Sequence, residues 1–119
     1  MNIAVLLDLD NIKPNLETVE QVCRRHGRLV ERRAFSNTPA VLAAYGGAFR
    51  QYQYRFELTP GLDPVPQEVD GLLVRTAWEL SEQSRLNLAM IAVVSNDNGY
   101  ADLLQQLKAR GIKTMVLAN

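Results

Sequence analysis

The sequence predicts an α/β fold, a three-layer α/β/α sandwich around a central parallel sheet of about five strands. Two apolar runs carry this prediction, Ile3 to Leu7 and Leu88 to Val94. An unbroken apolar run of that length suits a strand buried on both faces by helices. Amphipathic helical segments separate the strand-like segments, and the order β-α-β-α-β-loop-α-β-α-β calls for right-handed crossovers.

In order, Pro14 suits the first turn of a helix, and Leu16, Val19, Val22 and Cys23 recur at helical spacing, with Gly27 as the stop. Leu29 to Phe35 reads as a second strand. Ser36-Asn37-Thr38-Pro39 is a turn, with Thr38 as N-cap and Pro39 opening a helix over Ala40 to Gln51. Gly46-Gly47 costs that helix about 1 kcal/mol per glycine, which points to a break or a close approach there. Tyr52 to Leu58 alternates as a half-buried edge strand, whose apolar residues point to a homodimer contact. Thr59 to Pro66, with three prolines and a glycine, is a loop. A helix follows over Gln67 to Ser84, burying Val69, Leu72, Leu73, Thr76, Ala77 and Leu80. After the second apolar strand come a helix over Tyr100 to Arg110, Gly111 as its cap, and a last strand over Ile112 to Ala118.

The 119 residues form one domain, and the end at Asn119 directly after a strand leaves room for a longer parent protein. Thirteen basic and thirteen acidic residues cancel, so no global field draws in nucleic acid, although a local patch would suffice. One cysteine excludes an intramolecular disulfide and a thiolate metal cluster. No stretch approaches the roughly 20 apolar residues of a membrane span. With no signal segment at the N-terminus either, the expected compartment is the cytoplasm.

Both apolar strands run straight into acids, Asp8 and Asp10 after the first and Asp97 after the other. Ligands of open α/β sheets sit beyond the carboxyl ends of the strands, and neighbouring strands lie about 4.8 Å apart. Acids at the same end of adjacent strands can therefore share an ion, and Asp70, opening the third long helix, is placed to join them. A few carboxylates with waters and phosphate oxygens are what a hard cation such as Mg²⁺ requires. Each acid alone also suits a strand end or helix cap. His26 follows a helix far in sequence from these acids and reads as a surface residue.

These residues also carry a resemblance. Val5-Leu6-Leu7-Asp8-Leu9-Asp10-Asn11, Glu68-Val69-Asp70, and Val93-Val94-Ser95-Asn96-Asp97-Asn98-Gly99-Tyr100 resemble the NYN domain, a family of PIN-like ribonucleases that includes LabA-type and limkain-like proteins. The likeness runs over nearly the whole chain. It implies a PIN-like sheet with strand order 3-2-1-4-5 and cleavage of RNA with Mg²⁺ or Mn²⁺. By that likeness Asp8 and Asp97 are principal metal ligands, Asp70 completes the site, and Asn11 orients substrate or a ligand.

Two departures bear on activity. Gln67 stands where the family often has a Lys, and Gly99 where it usually has a second acid. Asp10 or Asp102 could compensate as a ligand, though Asp102 reads better as solvent-facing. For the phosphate backbone the cationic candidates are Lys13, Arg50, Arg55 and Arg75. For stacking on bases they are Tyr45, Tyr52, Tyr54 and Tyr100. The competing readings are a catalytically silent RNA-binding or protein-interaction module and, through Asp8-Leu9-Asp10 and Ser36, a phosphatase of haloacid dehalogenase type.

Overall fold

In the computed structural model, which describes residues 1–59 and 68–118, five parallel strands form one sheet in the order β3-β2-β1-β4-β5. The elements are β1 (Asn2–Asp8), α1 (Leu16–Arg24), β2 (Arg28–Ser36), α2 (Val41–Tyr52), β3 (Arg55–Leu58), α3 (Glu68–Glu82), β4 (Leu88–Val94), α4 (Ala101–Ala109) and β5 (Lys113–Leu117). The order and the helical layers match the expectation. The loop expected over Thr59 to Pro66 lies outside the described residues, apart from Thr59.

The two apolar runs are neighbours. β1 pairs with β4 in register Leu6↔Val93 and Leu7↔Val94, and with β2 on its other side. Ile3, Val5 and Leu7 face one layer with Leu16, Val19 and Cys23 of α1 and Phe49 of α2. Ala4 and Leu6 face the other, with Leu73, Ala77 and Leu80 of α3 and Leu103 and Leu107 of α4. All five residues from Ile3 to Leu7 are 0% exposed, which explains why the strand lacks polar alternation.

Local capping follows the sequence with small shifts. Asn15 caps α1 by accepting the Thr18 N–H at 3.1 Å. Thr38 accepts the Ala40 N–H at 3.2 Å, but Pro39 and Ala40 form a separate turn before α2. α2 runs unbroken through Gly46 and Gly47, and a Cβ at either would meet nothing within 4 Å, so neither the break nor the close approach is present. Tyr52 ends α2 instead of opening β3, because Gln53 turns left-handed at φ 63° and stops the helix there. Gly27 is needed for space, since a Cβ there would lie 2.2 Å from the Met1 carbonyl oxygen as β1 and β2 start side by side. Two short 3₁₀ turns, Ser84–Leu86 and Asn98–Tyr100, have no counterpart in the sequence expectation.

Cys23 is buried in this core, and desolvation, with Glu20 nearby, pushes its thiol up to about 11 from 9.0. A folded-state value above the unfolded one means that the unfolded chain releases the proton first. Stability from this group is therefore complete below pH 9 and lost as pH rises toward 11. The shift corresponds to about 3 kcal/mol. Urea titrations between about pH 8 and pH 10 are expected to show the onset of this decline, and Cys23→Ala is expected to flatten it there. The native thiol should also resist thiol reagents at about pH 8 until urea unfolds the chain.

Candidate metal centre

The carboxyl ends of β1 and β4 create the site. Leu7 lies beside Val94, so the next residues, Asp8 and Ser95, leave the sheet side by side. Asp8 is 0% exposed. Its Oδ2 accepts three hydrogen bonds, from Asn11 Nδ2 at 2.7 Å, Ser95 Oγ at 2.8 Å and the Tyr100 hydroxyl at 3.0 Å. Its Oδ1 is buried and has no hydrogen-bond partner among the described residues. Charge and desolvation make an unpartnered buried carboxylate oxygen costly, by several kcal/mol.

Asp97 is linked to Asp8 through one hydroxyl. The Ser95 Oγ that donates to Asp8 accepts the Asp97 N–H at 3.0 Å. Asp97 Oδ1 in turn accepts the Gly99 N–H at 2.9 Å, capping the 3₁₀ turn that carries Tyr100. The capping role is thus compatible with a place for this residue in the candidate centre. Gly99, where the resemblance calls for an acid, packs against Asp97, and a Cβ there would lie 3.2 Å from Asp97 Oδ1.

Asp70 is the third residue of α3, and its side chain, like those of Glu68 and Val69, lies outside the described residues. Among the described residues no group of three or more His, Cys, Asp or Glu side chains is placed to hold a metal. The described part of the centre therefore has two carboxylates, with Asn11, Ser95 and Tyr100 fixing the first. The donor set fits a hard cation. It consists of oxygens, and Asp8 Oδ1 has an unmet demand for positive charge that the three donors on Oδ2 leave in place.

Several sequence expectations take different roles. Asp10 does not turn toward Asp8. It accepts the Ser36 hydroxyl at 2.7 Å and the Asn37 N–H at 3.2 Å, pinning the β2–α2 turn to the end of β1. That engagement commits Asp10 and Ser36 to each other, which weakens Asp10 as a compensating ligand and takes the free acid and free serine from the phosphatase reading. Asp102 is exposed in the first turn of α4. Tyr100 cannot stack on a base, because its ring is 3% exposed and its hydroxyl is committed to Asp8. Tyr54 is likewise buried, 8% exposed, and burial raises its hydroxyl well above the usual range. Tyr45 stacks on Phe49 and donates to the Pro14 carbonyl at 2.8 Å. Sequence reasoning misses Ser95 as a site residue. Its signal is its position, the first polar residue after β4.

The cationic candidates do not form one patch. Lys13 lies in the loop leaving β1, beside the site. Arg50 is in the last turn of α2, and Arg55 opens β3 opposite Arg33, which is level with Leu6, so both fall short of the carboxyl edge. Arg75 is exposed in the middle of α3. Exposed Arg25, Arg28, Arg85, Arg110 and Lys113 all lie where helices end and strands begin, at the opposite end of the sheet. The zero net charge therefore hides a polarity, basic at the strand starts and acidic at the strand ends. An acidic edge repels phosphate unless a bound cation intervenes.

No helix among the described residues is long and apolar enough to cross a membrane. Comparison with solved structures finds a crystal structure of a protein of unknown function from Vibrio parahaemolyticus, with a TM-score of 0.76 and 18% sequence identity. The match covers 98% of this chain and 80% of that one, and it shows that the two share a fold. Among curated proteins, comparison by sequence finds no match. The model of the NYN domain family matches residues 2–119, so the sequence motifs, the strand order and the family model agree. On that match, the chain belongs to the NYN domain family.

Proposed function

We propose that this domain is a metal-dependent ribonuclease that hydrolyses phosphodiester bonds of RNA at the ends of β1 and β4. The observation that carries this reading is the orphaned Oδ1 of Asp8, a buried carboxylate oxygen with no hydrogen-bond partner among the described residues. Asp8 and Asp97 would hold Mg²⁺ or Mn²⁺, and Asp70 is the third candidate ligand. Asn11, Ser95 and Tyr100 act as positioning residues, since their three donors fix the Asp8 carboxylate and leave Oδ1 for the ion. When bound, such an ion supplies polarisation of a phosphate oxygen and a water of lowered pKa. It also reverses the sign of the acidic edge for a polyanionic substrate.

The expected result is Mg²⁺- or Mn²⁺-dependent cleavage of single-stranded RNA that falls about 100-fold, roughly 2.7 kcal/mol of barrier, in Asp97→Asn. Gel analysis of an end-labelled strand checks it. Gly99 favours a second reading, because the acid that the family usually places there is missing. A domain so altered would bind RNA or a protein without cutting. Wild-type protein that retains the labelled strand but leaves it intact with both ions would establish that reading instead.

A further inference from the structure

Beside the acidic centre lies an open cleft of about 770 Å³, between the loop that leaves β1 and the start of α2. Leu9, Val41, Ala44 and Tyr45 give it an apolar lining, and Lys13 and Asn37 bring polar groups to it. Its other polar groups are already engaged. Asp10 accepts from Ser36 and Asn37, Thr38 accepts the Ala40 N–H, and Tyr45 donates to the Pro14 carbonyl. The Lys13 ammonium and the Asn37 side-chain amide have no hydrogen bond or ion pair among the described residues. We infer that this cleft is a nucleotide-binding subsite, taking one base of the RNA strand inside it with the adjoining phosphate on Lys13.

The chemistry of the lining selects this ligand. An apolar slot of a few hundred Å³ holds a planar ring, and one amide with both a donor and an acceptor matches the edge of a base. Asp10 lines the same cleft, and its carboxylate repels a phosphate seated inside. That repulsion sets the polarity of the ligand, with the base in and the phosphate out at the exposed lysine. The loop from Asp8 to Lys13 joins cleft and centre, so a base in the cleft belongs to a nucleotide neighbouring the bond to be cut. The inference rests on reading the acidic centre as a phosphodiester site, and it adds the place where that strand is held and read.

The test is binding without cleavage. Isotope-labelled protein in EDTA is titrated with each of the four ribonucleoside monophosphates, with the nucleosides and with inorganic phosphate. Amide shifts are expected at Leu9, Lys13, Asn37 and Ala44, with nucleotides binding at least fivefold more tightly than nucleosides. Lys13→Gln should erase that difference, and Asn37→Ala should change the ranking of the four bases. Ala44→Trp, which fills the slot from an exposed helical position, should weaken every nucleotide at least tenfold with unchanged melting. Shifts confined to other surfaces, equal shifts with inorganic phosphate alone, or wild-type affinity in Ala44→Trp would overturn the subsite. Nucleotide binding by a protein inert toward RNA would sink the nuclease reading and leave the cleft standing. RNA cleavage with KM unchanged in Ala44→Trp would do the reverse.

Discussion

Asp8→Asn is expected to abolish RNA cleavage, by at least about 1,000-fold or roughly 4 kcal/mol of barrier, while leaving the metal-free fold at least as stable as wild type. The two halves of this expectation share one cause. Asp8 has no exposure and, among the described residues, three donors on one oxygen and none on the other. The amide oxygen of Asn can still accept from Asn11, Ser95 and Tyr100, so the local network survives. What is lost is the anionic oxygen facing the ion, replaced by an amide NH2 whose unpaired burial costs less than that of a charge. Burial of a carboxylate without a countercharge costs several kcal/mol, more than the extra strength of three charge-assisted hydrogen bonds recovers at an incompletely satisfied site. The sharper readout is the melting temperature with and without Mn²⁺. At a hundredfold excess over Kd, ligand binding adds about 2.7 kcal/mol to the native state. At roughly 4 °C per kcal/mol for a domain of this size, wild type gains about 10 °C and Asp8→Asn gains nothing. If the variant instead melts far below wild type in EDTA and keeps the Mn²⁺ shift, Asp8 is a structural cap and the metal lies elsewhere.

The parts of this molecule that can be read from its sequence are those where burial constrains composition on both sides. β1 and β4 are apolar throughout because helices cover both of their faces, so the two central strands and the acids that end them stand out. β2 is harder to read, since Glu31, Arg32 and Arg33 follow one another before Ala34 and Phe35 and no polar–apolar alternation marks the strand. The errors concern partners distant along the chain. Nothing near Asp10 shows that Ser36 and Asn37, at the far end of the next strand, take up its carboxylate. Tyr100 reads as a surface aromatic because it follows a polar turn, yet the 3₁₀ turn capped by Asp97 folds it under the site. The Gly46-Gly47 pair misleads in the opposite direction, because α2 absorbs its cost through the packing of Phe49 on Tyr45, Tyr54 and Phe56. Equal numbers of acids and bases say nothing about where they lie, and only the topology separates them to the two ends of the sheet.

Arg32→Leu is expected to destabilise the fold severely, by about 3–5 kcal/mol. Glu20 of α1 is 1% exposed, and Arg32 of β2 grips it with both arms of the guanidinium, Nε to Oε1 at 2.6 Å and Nη2 to Oε2 at 3.1 Å. Losing the arginine leaves a buried carboxylate whose remaining cation, Arg24, is 3.7 Å away and 65% exposed, too solvated to replace it. A pH titration cannot expose this on the arginine side. The hydrogen bond to Glu20 raises Arg32 above its already high ordinary value, so its contribution is complete at neutral and moderately alkaline pH and is lost only in strong base. Mutation must do it instead. The double variant Glu20→Leu with Arg32→Leu removes both charges into an apolar setting and should regain most of the loss, leaving a coupling energy of several kcal/mol in urea unfolding. A cost under about 1 kcal/mol for Arg32→Leu would mean that the pair behaves as a surface one. The effect reaches the site as well. This ion pair clamps α1 to β2, and the loop carrying Asn11 and Lys13 is the segment between β1 and α1. Loosening α1 should therefore weaken Mn²⁺ binding in the single variant and restore it in the double, tying the acidic centre to the packing beneath it.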